Sequence, residues 1–173
     1  MEKVDENKIR IAGVVKESTV DGPGFRYVIF TQGCPHHCEG CHNPQTHDIN
    51  GGRFENIEIL AEDIKKNPLL KGITLSGGEP FMQAKVLVKL LSLLDLNRHT
   101  VMTYTGFKYE YLIEHANENN GFLELLKLTD VLIDGKFEMA LKSQKVKFRG
   151  STNQRAIDVK KSIKENKIIE HEF

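Results

Sequence analysis

Short runs of β-branched and aromatic residues alternate along the chain with segments in which apolar residues recur at helical spacing. The runs predict strands at residues 9–15, 27–30, 73–75, 100–104 and 131–133. The amphipathic segments predict helices at residues 57–66, 84–94, 109–117 and 122–128. Near the C-terminus, the run KKSIKENK predicts a solvated face or a turn before a last strand at residues 167–170.

Strands that alternate with helices predict an α/β fold in which the strands pair in parallel through right-handed crossovers. A closed eight-stranded barrel usually needs roughly 200 residues or more. With 173 residues, the chain is expected to form an incomplete, open parallel β/α barrel as a single domain over residues 1–173. Residues 1–8 are expected to be a flexible N-terminal segment.

Charge and composition exclude few functions, but they give no support for binding to nucleic acid or to a membrane. Lysine plus arginine and aspartate plus glutamate each number 24, so the zero net charge gives no reason to expect nucleic acid or an anionic membrane as a partner. The apolar runs are short, so neither a membrane span nor a signal peptide is expected. Three cysteines within eight residues suit one shared ligand better than disulfides, which predicts a reducing, cytoplasmic location.

The three cysteines form the pattern CxxxCxxC in GCPHHCEGCHNP, directly after the apolar strand YVIF. Cys34, Cys38 and Cys41 therefore meet at one strand end. Thiolates are soft ligands that select iron–sulfur clusters, zinc or copper, and a cubane cluster normally takes four protein cysteines. Three cysteines leave one iron without a protein ligand, and a substrate can bind directly at such an open position.

The alternative is a zinc site that combines the cysteines with one of the nearby histidines, His36, His37, His42 or His47. Structural zinc usually draws its ligands as two pairs from separate loops, so a single triplet favours the cluster. A non-catalytic interaction module that binds zinc or a cluster is the hypothesis from a different functional class.

The cysteine loop resembles that of the radical S-adenosylmethionine superfamily, in which the open iron chelates the amino and carboxylate groups of S-adenosylmethionine. Residues 21–44 are similar to the signature of the activating enzymes of glycyl-radical enzymes. Residues 130–137 and 148–155 resemble the activating proteins of anaerobic, class III ribonucleoside-triphosphate reductases, and the likeness spans residues 9–157. Pyruvate formate-lyase activases share several of these features and are the second candidate family.

The later strand ends carry further candidate residues. SGGEP at residues 76–80 follows the strand ITL, where glycines allow close backbone approach and Glu79 can accept hydrogen bonds from an ammonium group. It resembles the superfamily's GGE motif, which binds the methionine amino group. Asp134 and Lys136 are two positions apart, so on an extended strand they share one face; they could bind a ribose, a cation or a carboxylate, or form a surface salt bridge.

The resemblance implies an open barrel of the radical S-adenosylmethionine type, with a 4Fe-4S cluster and S-adenosylmethionine as cofactors and no catalytic side chain beyond them. The implied cluster ligands are Cys34, Cys38 and Cys41. The residues implied for cofactor binding are His42, Asn43, Ser76, Gly77, Gly78, Glu79, Thr105, Asp134 and Lys136. The residues implied for partner binding are Asp21, Gly22, Pro23, Gly24 and Arg26. Gly40 departs from the aromatic residue that many members carry there, so adenine is expected to pack elsewhere.

The activity that the resemblance implies is the activation of a glycyl-radical enzyme. A flavodoxin- or ferredoxin-type donor reduces the cluster, S-adenosylmethionine is cleaved, and a 5′-deoxyadenosyl radical takes hydrogen from a glycine of the large reductase subunit. An open barrel suits this task, because a backbone glycine must arrive on a loop of another protein.

Overall fold

The computed structural model describes residues 5–173, in which seven strands form one sheet. The strands are β1 (Lys8–Ser18), β2 (Arg26–Thr31), β3 (Arg53–Asn56), β4 (Gly72–Gly77), β5 (Thr100–Tyr104), β6 (Val131–Asp134) and β7 (Arg155–Asp158). The helices are α1 (Ile57–Lys65), α2 (Ala84–Ser92), α3 (Tyr109–Glu114), α4 (Phe122–Leu128) and α5 (Val159–Glu165). The order of strands across the sheet is β3-β1-β2-β4-β5-β6-β7.

The centre of the sheet is parallel and its edges are antiparallel. Strands β2, β4, β5 and β6 pair in parallel, whereas β1 pairs antiparallel with both β2 and β3, and β7 pairs antiparallel with β6. The prediction of parallel pairing throughout is therefore wrong at the edges, because residues 19–25 are too few to form a crossover between β1 and β2. The sheet does not close, which confirms the predicted open α/β fold.

The five predicted strands and four predicted helices all occur, with ends that differ by a few residues. The sequence pattern missed three elements: β3, β7 and α5. The predicted strand at residues 167–170 is wrong, because that segment makes one isolated bridge, between Glu170 and Ile157. The lysine-rich run forms the solvated face of α5, one of the two alternatives predicted for it. Asp158 begins this helix by accepting a hydrogen bond from the main-chain N–H of Lys161.

The two faces of the sheet have different surroundings because successive strand side chains point to opposite sides. One face carries Ile29, Leu75 and Leu132, which pack with Leu87 and Leu90 of α2 in the main apolar core. The opposite face carries a small buried cluster of Met102, Ile133 and Ala156. The helices thus cover one face and leave much of the other available for a site.

The N-terminal prediction lies partly outside the described residues, which begin at Asp5. Lys8 already belongs to β1, and the carboxylate of Glu6 pairs with Lys89 of α2. No helix within residues 5–173 combines the length and apolarity needed to cross a bilayer.

The prediction that Arg26 binds a partner protein is wrong. The Arg26 side chain is buried, and its guanidinium donates hydrogen bonds to Thr74 Oγ1 at 2.7 Å, to Ile73 O at 2.8 Å and to Thr100 O at 2.9 Å. Burial lowers the pKa of Arg26 to about 10, so the group stays protonated at neutral pH. Arg26 therefore joins three neighbouring strands and is not available to a partner.

An ion-pair network ties β6, β7 and α3 together through Arg155. Its guanidinium donates to Glu110 Oε1 at 3.0 Å and to Asp134 Oδ1 at 2.9 Å. Hydrogen bonding to Arg155 lowers the pKa of Glu110 to about 2. The depressed pKa means that Glu110 stabilises the fold above its unfolded pKa and that this contribution is lost as the pH falls towards 2.

We expect Glu110→Gln to flatten the pH dependence of stability in acid. The free energy of unfolding of the wild type should fall more steeply than that of the variant between about pH 4.5 and pH 2. Urea unfolding of both proteins at a series of pH values, followed by far-ultraviolet circular dichroism, measures the difference. Glu124→Gln, an exposed position on α4 without an ion pair, is the matched control and should follow the wild type. Parallel curves for the wild type and Glu110→Gln would contradict the assignment.

Candidate cluster and cofactor site

A cavity of about 980 Å³ opens at the carboxyl ends of the parallel strands. All three cysteines line it, and each is partly exposed. Six of the residues predicted to bind the cofactor line it as well, namely His42, Asn43, Ser76, Gly77, Gly78 and Thr105. The fold therefore brings together in one cavity the loops that follow β2, β4 and β5.

Main-chain hydrogen bonds hold the cysteine loop against the glycine segment. The N–H of Gly78 donates to Thr31 O, and the N–H of Glu79 donates to Gly33 O, both at 2.8 Å. A Cβ atom on Gly78 would lie 2.4 Å from Gly33 O, so only glycine allows this approach. The two loops consequently form one continuous wall of the cavity.

Further hydrogen bonds join the start of the cysteine loop to the residues that follow it. The N–H of Cys34 donates to His47 O at 3.2 Å, and the N–H of Asn43 lies 3.4 Å from Cys41 Sγ. Hydrogen bonds to sulfur are one of the means by which a protein tunes a cluster's reduction potential. Burial raises the pKa of the Cys34 thiol.

The donor set fits a cubane cluster better than a single metal ion. Within residues 5–173, no three cysteine, histidine, aspartate or glutamate side chains converge closely enough to hold one ion, whereas structural zinc takes four ligands around one point. A cluster instead takes one thiolate on each of its irons. The cysteines face a cavity with room for a cosubstrate beside them, and Cys34, Cys38 and Cys41 are the residues that would hold the cluster.

Residues 20–157 match the family model described as a 4Fe-4S single cluster domain. The chain belongs to this family. It is 36% identical over 143 residues to the anaerobic ribonucleoside-triphosphate reductase-activating protein of Enterobacteria phage T4, covering 79% of this chain and 85% of the relative. The corresponding protein of Escherichia coli strain K12 is 33% identical, covering 78% of this chain and 89% of the relative. The pyruvate formate-lyase-activating enzyme of Clostridium pasteurianum is 36% identical, covering 73% of this chain and 52% of the relative.

Membership of the 4Fe-4S single cluster family confirms the resemblance found in the cysteine loop. The chain is a radical S-adenosylmethionine enzyme, and its cofactors are a 4Fe-4S cluster and S-adenosylmethionine. Which residues hold these cofactors stays a prediction, and the cavity lining shows where each predicted residue lies.

Glu79 lies behind the cavity wall, which corrects its predicted role. The side chain is fully buried, and protein donors occupy its carboxylate: Thr105 Oγ1 and the N–H of Gly106, both at 2.9 Å, and the ring Nε2–H of His36 at 2.7 Å. The N–H of Phe81 donates as well, at 3.1 Å. Glu79 thus joins the cysteine loop to the loops after β4 and β5, and it does not line the cavity.

Asp134 and Lys136 are further corrections, because neither lines the cavity. Asp134 is fully buried, accepts a hydrogen bond from the N–H of Tyr109 at 2.8 Å and pairs with Arg155. Alternation along β6 places it on the opposite face from Ile133, which belongs to the cavity side. The strand ends at Asp134 and Gly135 has φ of +94°, so Lys136 does not continue the same face and is exposed.

Of the residues predicted to bind the partner, Asp21 lines the cavity. Ser18 donates a hydrogen bond to its carboxylate at 2.5 Å, and Thr74 Oγ1 donates to its main-chain oxygen at 2.8 Å. Gly22 is packed against Arg26, because a Cβ atom there would lie 2.5 Å from the arginine Cδ. Pro23 and Gly24 complete this loop outside the cavity lining. Partner contact at these four positions stays a prediction.

Several cavity residues were not among those predicted to bind the cluster or S-adenosylmethionine. His36, Tyr104, Phe137 and Arg149 all line the wall. The Tyr104 hydroxyl donates to the main-chain oxygen of Phe148 at 2.7 Å, and burial raises the pKa of this phenol. Alternation along β5 was the signal for Tyr104, whereas Phe137 and Arg149 follow β6 in an irregular segment with no periodicity to indicate their direction.

Gly40 leaves room for a residue that is distant in sequence. Its Cβ position would lie 2.0 Å from Met139 Cε and 3.5 Å from Phe137 Cε1. A side chain from the segment after β6 therefore occupies the space in which an aromatic residue was expected from the cysteine loop.

Proposed function

We propose that this chain activates an anaerobic ribonucleoside-triphosphate reductase by installing a glycyl radical on its large subunit. The observation that carries the proposal is the single cavity that joins three cysteine thiols to the glycine-rich ends of β4 and β5. The names and coverage of the relatives from phage T4 and E. coli support this choice of target.

The chain's own residues bind, orient and shield the reactants. Cys34, Cys38 and Cys41 hold the cluster at one end of the cavity, and the backbone of Ser76, Gly77 and Gly78 lies open beside them for the amino-acid end of S-adenosylmethionine. When bound, the reduced cluster supplies the electron that cleaves the carbon–sulfur bond, which gives methionine and a 5′-deoxyadenosyl radical able to take hydrogen from glycine. The surrounding wall restricts water around this radical.

The open sheet suits a protein substrate. The helices cover one face, whereas the cavity opens on the face that carries Tyr104 and the segment after β6. A peptide loop can enter such an opening, while a closed barrel admits only small molecules. A flavodoxin- or ferredoxin-type protein is the proposed electron donor, and a reducing cytoplasm is the proposed location, because the cluster and the free thiols both require reduction.

Activation of pyruvate formate-lyase is the second candidate function. It is favoured by the 36% identity to the C. pasteurianum enzyme, but the aligned part of this chain spans only 52% of that relative. The reductase activators match this chain over most of their own length, so the reductase remains the first choice.

The test is anaerobic incubation of the reconstituted protein with the reductase, S-adenosylmethionine and a reductant. A doublet from a glycyl radical in the electron paramagnetic resonance spectrum, together with release of 5′-deoxyadenosine, is the expected result. A parallel incubation contains pyruvate formate-lyase in place of the reductase. A radical in that sample alone would move the assignment to the second candidate, and colourless protein with stoichiometric zinc would replace the enzyme with a binding module.

A further inference from the structure

One segment that contributes to the cavity wall carries a local excess of positive charge. Residues 136–149, which we call the cationic segment, contain five cations and one acid, Glu138, for a net charge of +4. The cations are Lys136, Lys142, Lys145, Lys147 and Arg149. Because the whole chain has a net charge of zero, the rest of the molecule carries the balancing negative charge.

Some lysines elsewhere in the described chain form ion pairs, whereas the cations of this segment do not. Lys16, Lys89 and Lys160, for example, each pair with a carboxylate of the same chain. Within residues 5–173, no cation of the cationic segment forms an ion pair with a side-chain carboxylate, and all except Arg149 are exposed. Lys147 instead donates to the main-chain oxygen of Phe173. The segment therefore offers positive charge that the fold itself does not neutralise.

The segment is held in place at both ends by the side chain of Gln154. Its amide N–H donates to Gly135 O at 3.0 Å, and its amide oxygen accepts from the N–H of Gly150 at 2.8 Å. The Tyr104 hydroxyl binds the main-chain oxygen of Phe148 inside the segment. Because the backbone is fixed in this way, binding a partner need not order the main chain of the segment.

The segment faces the opening of the site and carries exposed apolar side chains between its charges. Lys142 and Arg149 line the cavity, and the Nε of Arg149 is buried with no hydrogen-bond partner among the described residues. Met139 is 46% exposed and Leu141 is 40% exposed. Protein interfaces usually combine apolar side chains at the centre with polar and charged side chains at the rim.

We infer that the cationic segment is the docking surface for an acidic stretch of the protein that delivers the glycine. The inference rests on the proposed function, since it places that partner's surface beside the opening through which its glycine loop must enter. Charge complementarity accelerates encounter and fixes the register of docking, and it orients the partner's loop towards the cavity.

A polypeptide partner fits the arrangement better than a free nucleotide. The five cations are spread along fourteen residues with apolar side chains between them, whereas a phosphate group is usually held by main-chain N–H groups gathered at one point. The spread of charge matches a partner that contacts the segment along its length.

The test is the kinetics of glycyl-radical formation at increasing concentrations of the reductase, with the reconstituted enzyme at low ionic strength. Replacing Lys136, Lys145 and Lys147 together with glutamine should raise KM for the reductase about tenfold, with a smaller effect on kcat. Raising the salt from about 0.05 M to about 0.3 M should raise KM of the wild type towards that of the variant, because salt screens exposed charges.

The matched control replaces Lys66, Lys127 and Lys164 with glutamine, which changes the net charge by the same amount. These lysines are exposed on the helical layer and form no ion pair among the described residues. The KM of this control should equal that of the wild type. A KM that does not respond to salt or to the triple replacement overturns the docking surface. The docking surface is also overturned if equilibrium dialysis shows that the wild type binds ATP and that the triple variant does not. A wild-type protein that forms no glycyl radical would instead defeat the proposed function itself.

Discussion

Replacing Cys38 with alanine is expected to leave the anaerobically purified protein without its cluster and without S-adenosylmethionine cleavage. With only Cys34 and Cys41 left in the loop, the described chain offers no further cysteine to complete the ligand set. A cubane held by two thiolates has lost half of the usual protein ligation. Iron and sulfide analysis should fall from about four of each per chain towards background, and 5′-deoxyadenosine should fall below detection.

The control is Glu39→Gln, an exposed change beside the replaced cysteine that leaves all three thiols in place. It should keep the iron content and brown colour of the wild type. Circular dichroism of the Cys38→Ala protein should show the helices retained, because the cysteine loop lies outside the apolar core. Undiminished iron and deoxyadenosine in Cys38→Ala would remove the basis for assigning this loop to the cluster.

Replacing Glu79 with alanine is expected to be the most destabilising change of a single non-cysteine residue in the site. It removes a fully buried carboxylate that accepts hydrogen bonds from His36, Thr105, Gly106 and Phe81. Removing one partner of a buried polar network typically costs about 3–5 kcal/mol, because the remaining donors are left without acceptors. For a chain of this length we expect the thermal midpoint to fall by about 10 °C.

The midpoint is measured anaerobically on the cluster-loaded protein, together with the dissociation constant for S-adenosylmethionine. Glu79→Gln keeps the side-chain volume but replaces one acceptor oxygen with an amide donor, so it should lie between the wild type and alanine. Glu58→Ala, an exposed position near the start of α1, is the control and should change the midpoint little. A Glu79→Ala protein with unchanged stability but greatly weakened S-adenosylmethionine binding would restore the direct cofactor contact predicted from the sequence.

The predictions for the functional residues succeeded where they rested on local sequence patterns and failed where they depended on tertiary contacts. The cysteines, Asn43 and the glycine segment follow strands directly, and the carboxyl ends of parallel strands meet at one edge of a sheet, so their meeting in one cavity could be predicted. Asp134 is buried and paired with Arg155, and β6 ends at Asp134, two residues before Lys136, so the two side chains do not share one strand face. Arg26 was wrong because its guanidinium is buried and bonded to β4 and β5, which the family signature does not show.

The segment between β6 and β7 shows the limit of sequence patterns most clearly. It has no helical or strand periodicity, yet it supplies Phe137 and Arg149 to the cavity wall. Its position depends on Gln154 and Tyr104, which reach it across the fold. Both contacts join residues that are far apart in sequence, so no local pattern could predict them.

The sequence by itself determined the alternation of strands and helices, the triplet of cysteines and the glycine-rich turn, because hydrophobic period and ligand spacing are local properties of the chain. Only the tertiary structure decided that Glu79 is buried, that the sheet edges run antiparallel and that the segment after β6 forms part of the cavity wall. Those features depend on contacts between residues far apart in sequence. Whether a charged group is buried or paired depends on the residues that the fold packs against it, which a local sequence pattern does not show.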